Sequence, residues 1–269
     1  MAPHNFRAGR VVLELLITLL IGLTPVACGL LIMAWQVEKT LAESTRVAIE
    51  QTLFDVDGIL DSLHNASNKV LNLAEFPCQK ALPSLRTEVV MRPALRSLVL
   101  VRENRAFCST VSGEYQLLVD PGSFFNQRLR LEPGNDVTPD SAILYYRLQE
   151  YPLGVLALTD GSTLQAVMQG IKARTTLVLQ FGDAFLWHDG NVIEGDLPDH
   201  SEQHMRALSV RYGYAVHGGY PKGFMWKELT SNGLAILPSL LLVGVMTSAA
   251  VYWTLFRGRR EYQPKRSQG

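Results

Sequence analysis

Few side chains in this 269-residue sequence are of a type and spacing that could do chemistry, and two cysteines lead them. Cys78 stands in Phe76-Pro77-Cys78, and Cys108 in Arg105-Ala106-Phe107-Cys108-Ser109-Thr110. Between them lie a helical pattern (Leu82, Leu85, Val89, Met91) and a strand-like run, Leu98-Val99-Leu100-Val101. The pair therefore encloses a helix and a strand, not the tight spacing of a metal knuckle. Whether the two thiols stay free or join depends on the compartment they face.

Three histidine leads are weaker. His200-Ser201-Glu202-Gln203-His204 sets two imidazoles four apart, one face of a helix if helical, with Asp199 and Glu202 as further candidate ligands. A zinc peptidase helix carries Glu directly after its first His, and Ser201 is there instead, so a solvated polar segment competes with a metal site. His217-Gly218-Gly219 resembles an esterase oxyanion loop, yet no G-x-S-x-G nucleophile elbow occurs. His188-Asp189 falls at an expected hairpin turn, where Asp serves the backbone. No Gly-rich phosphate loop accompanies these leads, so neither a catalytic residue nor a cofactor is nominated.

The compartment is legible at the two ends. Leu15 to Trp35 is a stretch of 21 residues without a charge and Gly233 to Phe256 one of 24. Each can cross about 30 Å of hydrocarbon at about 1.5 Å per residue. Arg7 and Arg10 precede the first span, and Arg257, Arg259, Arg260, Lys265 and Arg266 follow the second. The positive-inside rule then predicts a cytoplasmic N-terminus over 1–10, a span over 11–36, an exported domain over 37–232, a span over 233–256 and a basic cytoplasmic tail over 257–269. The whole chain balances 25 Lys and Arg against 25 Asp and Glu, but residues 38–232 hold 18 of the basic and 23 of the acidic ones. An acidic exported domain with basic ends expects a lipid bilayer as partner and no nucleic acid. The first apolar run is too long for a signal h-region. Cys28 in Pro25-Val26-Ala27-Cys28 lacks the setting of a lipoprotein site, since Gly29 to Trp35 stays apolar; it reads as a small apolar residue in lipid.

Past Trp35, apolar residues recur at Val37, Leu41, Ile49, Leu53, Val56, Leu60, Leu63, Val70 and Leu73 among charged ones. That spacing predicts an amphipathic stalk helix over 37–74, continuous with the first span. The period then changes to that of strands. A hairpin is expected over 98–110, a strand over 115–119, a loop over 124–140, a strand pair over 142–148 and 153–158, and a helix opened by Asp160-Gly161 with Ser162 as N-cap. Further strands are expected over 177–181, 184–188 and 191–193, with a turn at Asp189-Gly190. Strict alternation over 208–217 predicts one long strand. The fold class is α+β: a long N-terminal stalk helix plus a mainly antiparallel, Cache/PAS-like sheet with flanking helices, held between two transmembrane helices.

In an oxidising exported space two cysteines within reach become a disulfide. Closing a loop of 31 residues from Cys78 to Cys108 is worth about 3.5 to 4 kcal/mol in the chain-entropy model. Spacing alone reads such a bridge as structural.

A membrane helix, a stalk ending in Phe-Pro-Cys, a hairpin strand ending in Cys-Ser-Thr, a sheet domain and a second membrane helix followed by Arg-rich sequence together resemble the CSS-motif sensor module. The resemblance covers residues 11 to 260. In that family the module lies in the periplasm of Gram-negative bacteria, in the inner membrane, and is normally followed by an EAL-type domain that hydrolyses cyclic di-GMP. The resemblance implies that Cys108 pairs with Cys78 in a redox-sensitive disulfide whose reduction changes output, with Ser109 and Thr110 completing the motif; Thr110 replaces a serine and keeps its hydroxyl. It also implies a periplasmic disulfide oxidase and periplasmic proteases as partners, and a homodimer or an EAL-containing partner. No Glu-Ala-Leu triplet occurs, although Tyr262-Gln263-Pro264 resembles the opening of many EAL domains, so a stand-alone sensor or a truncated gene is expected and this chain itself is not expected to be an enzyme. The alternative is a Cache- or PAS-like small-molecule binder in which the disulfide is structural.

Overall fold

The structure is a computed structural model that describes residues 4–134, 141–171, 174–187, 192–194 and 202–254. They fall into two compact units, one from 1–41 with 223–269 and one from 42–222. The helix α1, His4–Val70, contributes to both, and α4, Phe224–Tyr252, lies in the first.

In the first unit both helices are long and apolar enough to cross a membrane. They pass closely where neither has a side chain: a Cβ on Gly244 would stand 2.6 Å from the Gly22 carbonyl oxygen, and one on Gly22 would meet Ser248 Oγ. Ser248 Oγ donates to the Thr18 carbonyl at 3.2 Å. Small residues and a hydroxyl at the crossing are what apolar surroundings favour, since packing and polar contacts replace the hydrophobic drive between helices there.

In the second unit α1 buries Thr45, Ala48, Ile49, Thr52, Val56, Leu60, Leu63, Ser67 and Val70, a stripe at three- and four-residue steps. Its other face carries Arg46 paired with Glu43 at 2.6 Å and Glu50 at 2.8 Å. After Val70 the helix tightens into a 3-10 turn over Leu71–Glu75 and stops, because Pro77 can accept no place in its interior. Pro77 instead caps α2, Cys78–Val90.

Eleven described strands follow: β1 Ser97–Arg102, β2 Arg105–Ser109, β3 Gly113–Leu118, β4 Leu129–Glu132, β5 Ile143–Glu150, β6 Leu153–Asp160, β7 Thr176–Phe181, β8 Ala184–Trp187, β9 Val192–Glu194, β10 Glu202–Leu208 and β11 Ala215–Tyr220. They form two antiparallel sheets, ordered β3-β2-β1-β6-β5-β4 and β10-β11-β7-β8-β9, and α3, Gly161–Gly170, leads from the first to the second. The α+β class and the stalk stand as the sequence predicts.

The six-stranded sheet has two apolar faces. Leu98, Leu100, Cys108, Leu144, Tyr146, Val155 and Ala157 join the main core with α1 and α2. Val99, Val101, Ala106, Ile143, Leu156 and Leu158 form a smaller cluster on the other side, under Val119 and Phe124. Along β1, β5 and β6 these alternate with the period of two that a strand imposes.

Several expectations need correction. The segment 124–140 is mostly loop over its described part, as expected, but it also holds the short strand β4, where Leu129 and Leu131 enter the core. Residues 208–217 are not one strand. The chain turns at Ser209–Gly213, with Gly213 at φ 79°, and the alternating pattern spans a hairpin. Ser162 is not the N-cap of α3; Asp160 holds that place, without a capping bond from its side chain, and its carboxylate pairs with Arg96 instead. The turn expected at Asp189-Gly190 lies outside the described residues.

Candidate functional site: the junction closed by Cys78 and Cys108

Cys78 is the first residue of α2 and Cys108 lies in β2; a disulfide joins them, with Cα atoms 5.2 Å apart. What brings Cys108 to that face is a bulge. Ala106 and Cys108 are two apart and by strict alternation would share a side. However, Val101 pairs with Ala106 and Leu100 with Cys108, so Phe107 is the extra residue. Ala106 accordingly joins the small outer cluster and Cys108 the main core. Bulges re-aim side chains in this way. Both cysteines are buried, Cys78 at 4% and Cys108 at 0% exposure, so solvent-borne thiols have no direct approach to the bond.

The two residues after Cys108 are structural hydroxyls. Ser109 Oγ accepts from the Val111 amide at 3.2 Å and closes the turn that ends β2. Thr110 Oγ1 accepts from the Leu98 amide at 3.2 Å and lies 3.0 Å from Ser97 Oγ, while the Thr110 amide donates to the Leu98 carbonyl. The hydroxyl thus takes over the β1 ladder where β2 leaves it. Serine or threonine can do this, which explains why the last motif position keeps a hydroxyl.

Further side-chain contacts hold the stalk. Arg102, at the end of β1, donates Nε to the Ala74 carbonyl at 3.0 Å, adds Nη2 to the same oxygen, and lies 4.8 Å over the Phe107 ring. Glu88 of α2 accepts Lys69 Nζ and Arg92 Nε, each at 2.6 Å. Burial would raise the Glu88 carboxyl, but the two cations outweigh it and hold it below the usual range. Higher on α1, Asp57 Oδ1 accepts from Ser209 Oγ at 2.8 Å and Tyr214 OH at 2.9 Å. Asp61 accepts from Tyr212 OH at 2.6 Å and pairs with Arg211. The Tyr212 bond foremost depresses the Asp61 carboxyl, while burial drives the Tyr212 and Tyr214 phenols far above their ordinary value. His64 Nδ1 lies 2.9 Å from the hydroxyl of buried Tyr146 on β5. The six-stranded sheet thereby holds α1 through His64 and the 3-10 turn after it through Arg102, and Asp57 and Asp61 tie α1 to the β10–β11 turn. Apart from the Glu88–Arg92 pair, four residues apart on α2, these contacts carry no sequence signature, because each joins partners at least 19 positions apart.

The histidine leads resolve differently. His204 sits in the strand β10 and not on a helix. Its ring stacks on that of His217 with Nε2 3.2 Å from His217 Nδ1, and His217 Nε2 lies 2.8 Å from Gln180 Oε1. His200 and Asp199 lie outside the described residues, as do His188 and Asp189. Among the described residues no group of three or more metal-ligating side chains gathers. Gly218 and Gly219 are buried in β11, where a Cβ on Gly218 would press within 3.1 Å of Ile49 and Thr45 of α1. Gly218 therefore serves close helix packing, not an oxyanion. Cys28 is exposed on α1 and takes no part in the junction.

The model of the CSS motif domain associated with EAL matches residues 41–232. The chain belongs to the CSS-motif family. A relative from Escherichia coli (strain K12), named "Probable cyclic di-GMP phosphodiesterase PdeG", is 23% identical over 190 residues, which cover 70% of this chain and 37% of that protein. The chain thus spans little more than a third of that relative's length. Among solved structures, an extracellular ligand binding receptor from Desulfohalobium retbaense DSM5692 superposes with a TM-score of 0.45 at 8% identity, over 66% of this chain and 40% of that one. That likeness is too slight to bear on function. For a CSS-motif domain, the Cys78–Cys108 bridge is the site to explain.

Proposed function

We propose that this CSS-motif domain is the periplasmic sensory part of a cyclic di-GMP phosphodiesterase system, anchored in the inner membrane by α1 and α4, and that the Cys78–Cys108 bridge sets its output. The observation that carries the reading is the place of the bridge: it fastens Cys78, three residues past the turn that ends the stalk, to the sheet. Because both sulfurs are buried, the bond registers whether oxidation took place while the domain folded, more than reductant arriving later. An open bridge leaves Arg102 and Glu88 to hold the junction and loosens the start of α2. The stalk helix continues into the first apolar span, which carries the change to the cytoplasmic side. Hydrolysis belongs to an EAL-type domain, attached or supplied by a partner, with a periplasmic disulfide oxidase writing the state and periplasmic proteases reading the loosened one.

Topology and redox state test this together. Alkaline phosphatase fused after Tyr151 should be active, and a cytoplasmic reporter fused after Arg260 should be active too. Acid-quenched thiol labelling should find one reactive cysteine in normal cells and three in cells lacking the oxidase. An inactive phosphatase fusion overturns the orientation; three free thiols in normal cells overturn the bridge. A bridge whose loss alters melting but never cellular cyclic di-GMP would make it structural only.

A further inference from the structure

His204 and His217 form a close pair on the five-stranded sheet, the first exposed on the edge strand β10 and the second buried on β11. The sequence sets His204 four residues from His200; the fold gives it His217 instead. The two ring centres are 5.5 Å apart with planes 26° from parallel, while His204 Nε2 lies 3.2 Å from His217 Nδ1, so these nitrogens are the facing atoms of the pair.

The tautomer of His217 follows from its surroundings. Gln180 Nε2 donates to the Gly182 carbonyl at 2.9 Å, which leaves Gln180 Oε1 as an acceptor 2.8 Å from His217 Nε2. His217 Nε2 therefore carries the proton and donates it, and in the neutral ring Nδ1 offers its lone pair toward His204. A ring nitrogen held by a carbonyl oxygen, so that the other nitrogen presents a lone pair, is the support that metal-bound histidines use. Phe185 stands at the same ring, with centroids 6.3 Å apart, and keeps that side apolar.

His204 reaches the pair through a distortion of its strand. Between Glu202, opposite Tyr220, and Met205, opposite Gly218, β10 holds one residue more than β11, and Gln203 there adopts φ 50°. Bulges re-aim side chains, and left-handed backbone at a non-glycine residue costs energy that gathers at functional sites. Two charged residues of β10 stand nearby. Arg206 pairs with His217 across the ladder but is exposed, so its charge can stay in solvent, and half-buried Glu202, two residues before His204, brings a carboxylate of opposite sign.

We propose that His204 Nε2 and His217 Nδ1 together bind a divalent late transition-metal ion of the kind imidazole prefers, Zn²⁺, Ni²⁺ or Cu²⁺. A cation about 2.0 to 2.1 Å from each of two nitrogens 3.2 Å apart holds them at roughly 100°, between the square-planar and tetrahedral values. The ion takes the place of the hydrogen on His204 Nε2; that proton leaves to solvent while Nδ1 takes one up, so the neutral pair releases no net proton. Water on the exposed His204 side completes the coordination. Two protein ligands are fewer than structural or catalytic centres use, so occupancy follows the free ion concentration. The proposal rests neither on the disulfide nor on its signalling.

The test is metal titration of the purified full chain in detergent, in a Cys28→Ser background so that the exposed thiol takes no ion. Calorimetry with Zn²⁺ or Ni²⁺ should show a saturable equivalent that Mg²⁺ and Ca²⁺, which prefer oxygen ligands, do not reproduce. Electron paramagnetic resonance of the Cu²⁺-loaded chain should show coupling to two imidazole nitrogens. His204→Gln, at an exposed position, should keep the ligand-free Tm and lose that equivalent. Gln180→Leu, a change that touches no ion, should weaken binding by about 10- to 100-fold. The proposal is overturned if neither Zn²⁺ nor Ni²⁺ binds saturably, if Mg²⁺ or Ca²⁺ binds equally, if the Cu²⁺ spectrum lacks imidazole coupling, or if either folded variant binds as tightly as the parent.

Discussion

Replacing both Cys78 and Cys108 by alanine removes a single covalent link, and its weight can be worked from the fold. The residues are 30 apart in sequence, and in the chain-entropy model closing such a loop is worth about 3.5 to 4 kcal/mol, acting through the unfolded chain. Alanine fills the two buried positions without adding a polar group, so little is lost from the native side. Arg102 on Ala74 and the Glu88 clasp remain. Against a typical total of about 5 to 15 kcal/mol the domain should stay folded, with Tm lower by roughly 7 to 15 °C at about 2 to 4 °C per kcal/mol. Melting of the full chain in detergent, followed by near-ultraviolet circular dichroism, reads this directly. Each single alanine variant should fall as far as the double, because either change breaks the same bond. Singles whose losses add up to that of the double would refute the reasoning, since two independent side-chain effects would then account for the drop.

Other expectations follow from the same junction. Thr110→Ser should melt within about 0.5 kcal/mol of the parent, whereas Thr110→Val, which leaves the Leu98 amide without its acceptor, should lose about 1 to 3 kcal/mol; a harmless valine would mean the hydroxyl is incidental. Glu88→Ala should cost about 1.5 to 3 kcal/mol, short of a fully buried pair because its partner Lys69 is exposed and can rehydrate. Glu88 and Asp61 both have carboxyls depressed in the folded state, so their contribution is complete above the unfolded value near pH 4 and is lost as pH falls through the lower folded values. Glu88→Gln with Asp61→Asn should therefore flatten the acid limb of stability measured by denaturant titration at stepped pH, and an unchanged limb would exclude these two groups.

Much of this protein follows from local pattern alone. The charge-free runs from Leu15 and from Gly233 and the three- and four-residue steps of Leu53, Val56, Leu60 and Leu63 determine long helices because helix period and span length are properties of consecutive residues. Pro77 ends the stalk for the same local reason. Alternation found most strands, yet over 208–217 it spanned a turn, since a glycine at positive φ reverses the chain without breaking an odd-even pattern. Only the tertiary structure decided what the chemically capable residues do. The bulge at Phe107 turns Cys108 toward α2, against the parity its neighbours suggest. Gly218 turned out to seat a helix, and His204 and His217 to stack across a ladder, because both relations are set by strand pairing. Asp57 with Tyr214, Arg102 with Ala74, and Gln180 with His217 were invisible for the same reason: hydrogen bonding and burial are fixed by which distant segments meet, and one residue's own sequence neighbourhood holds no record of that.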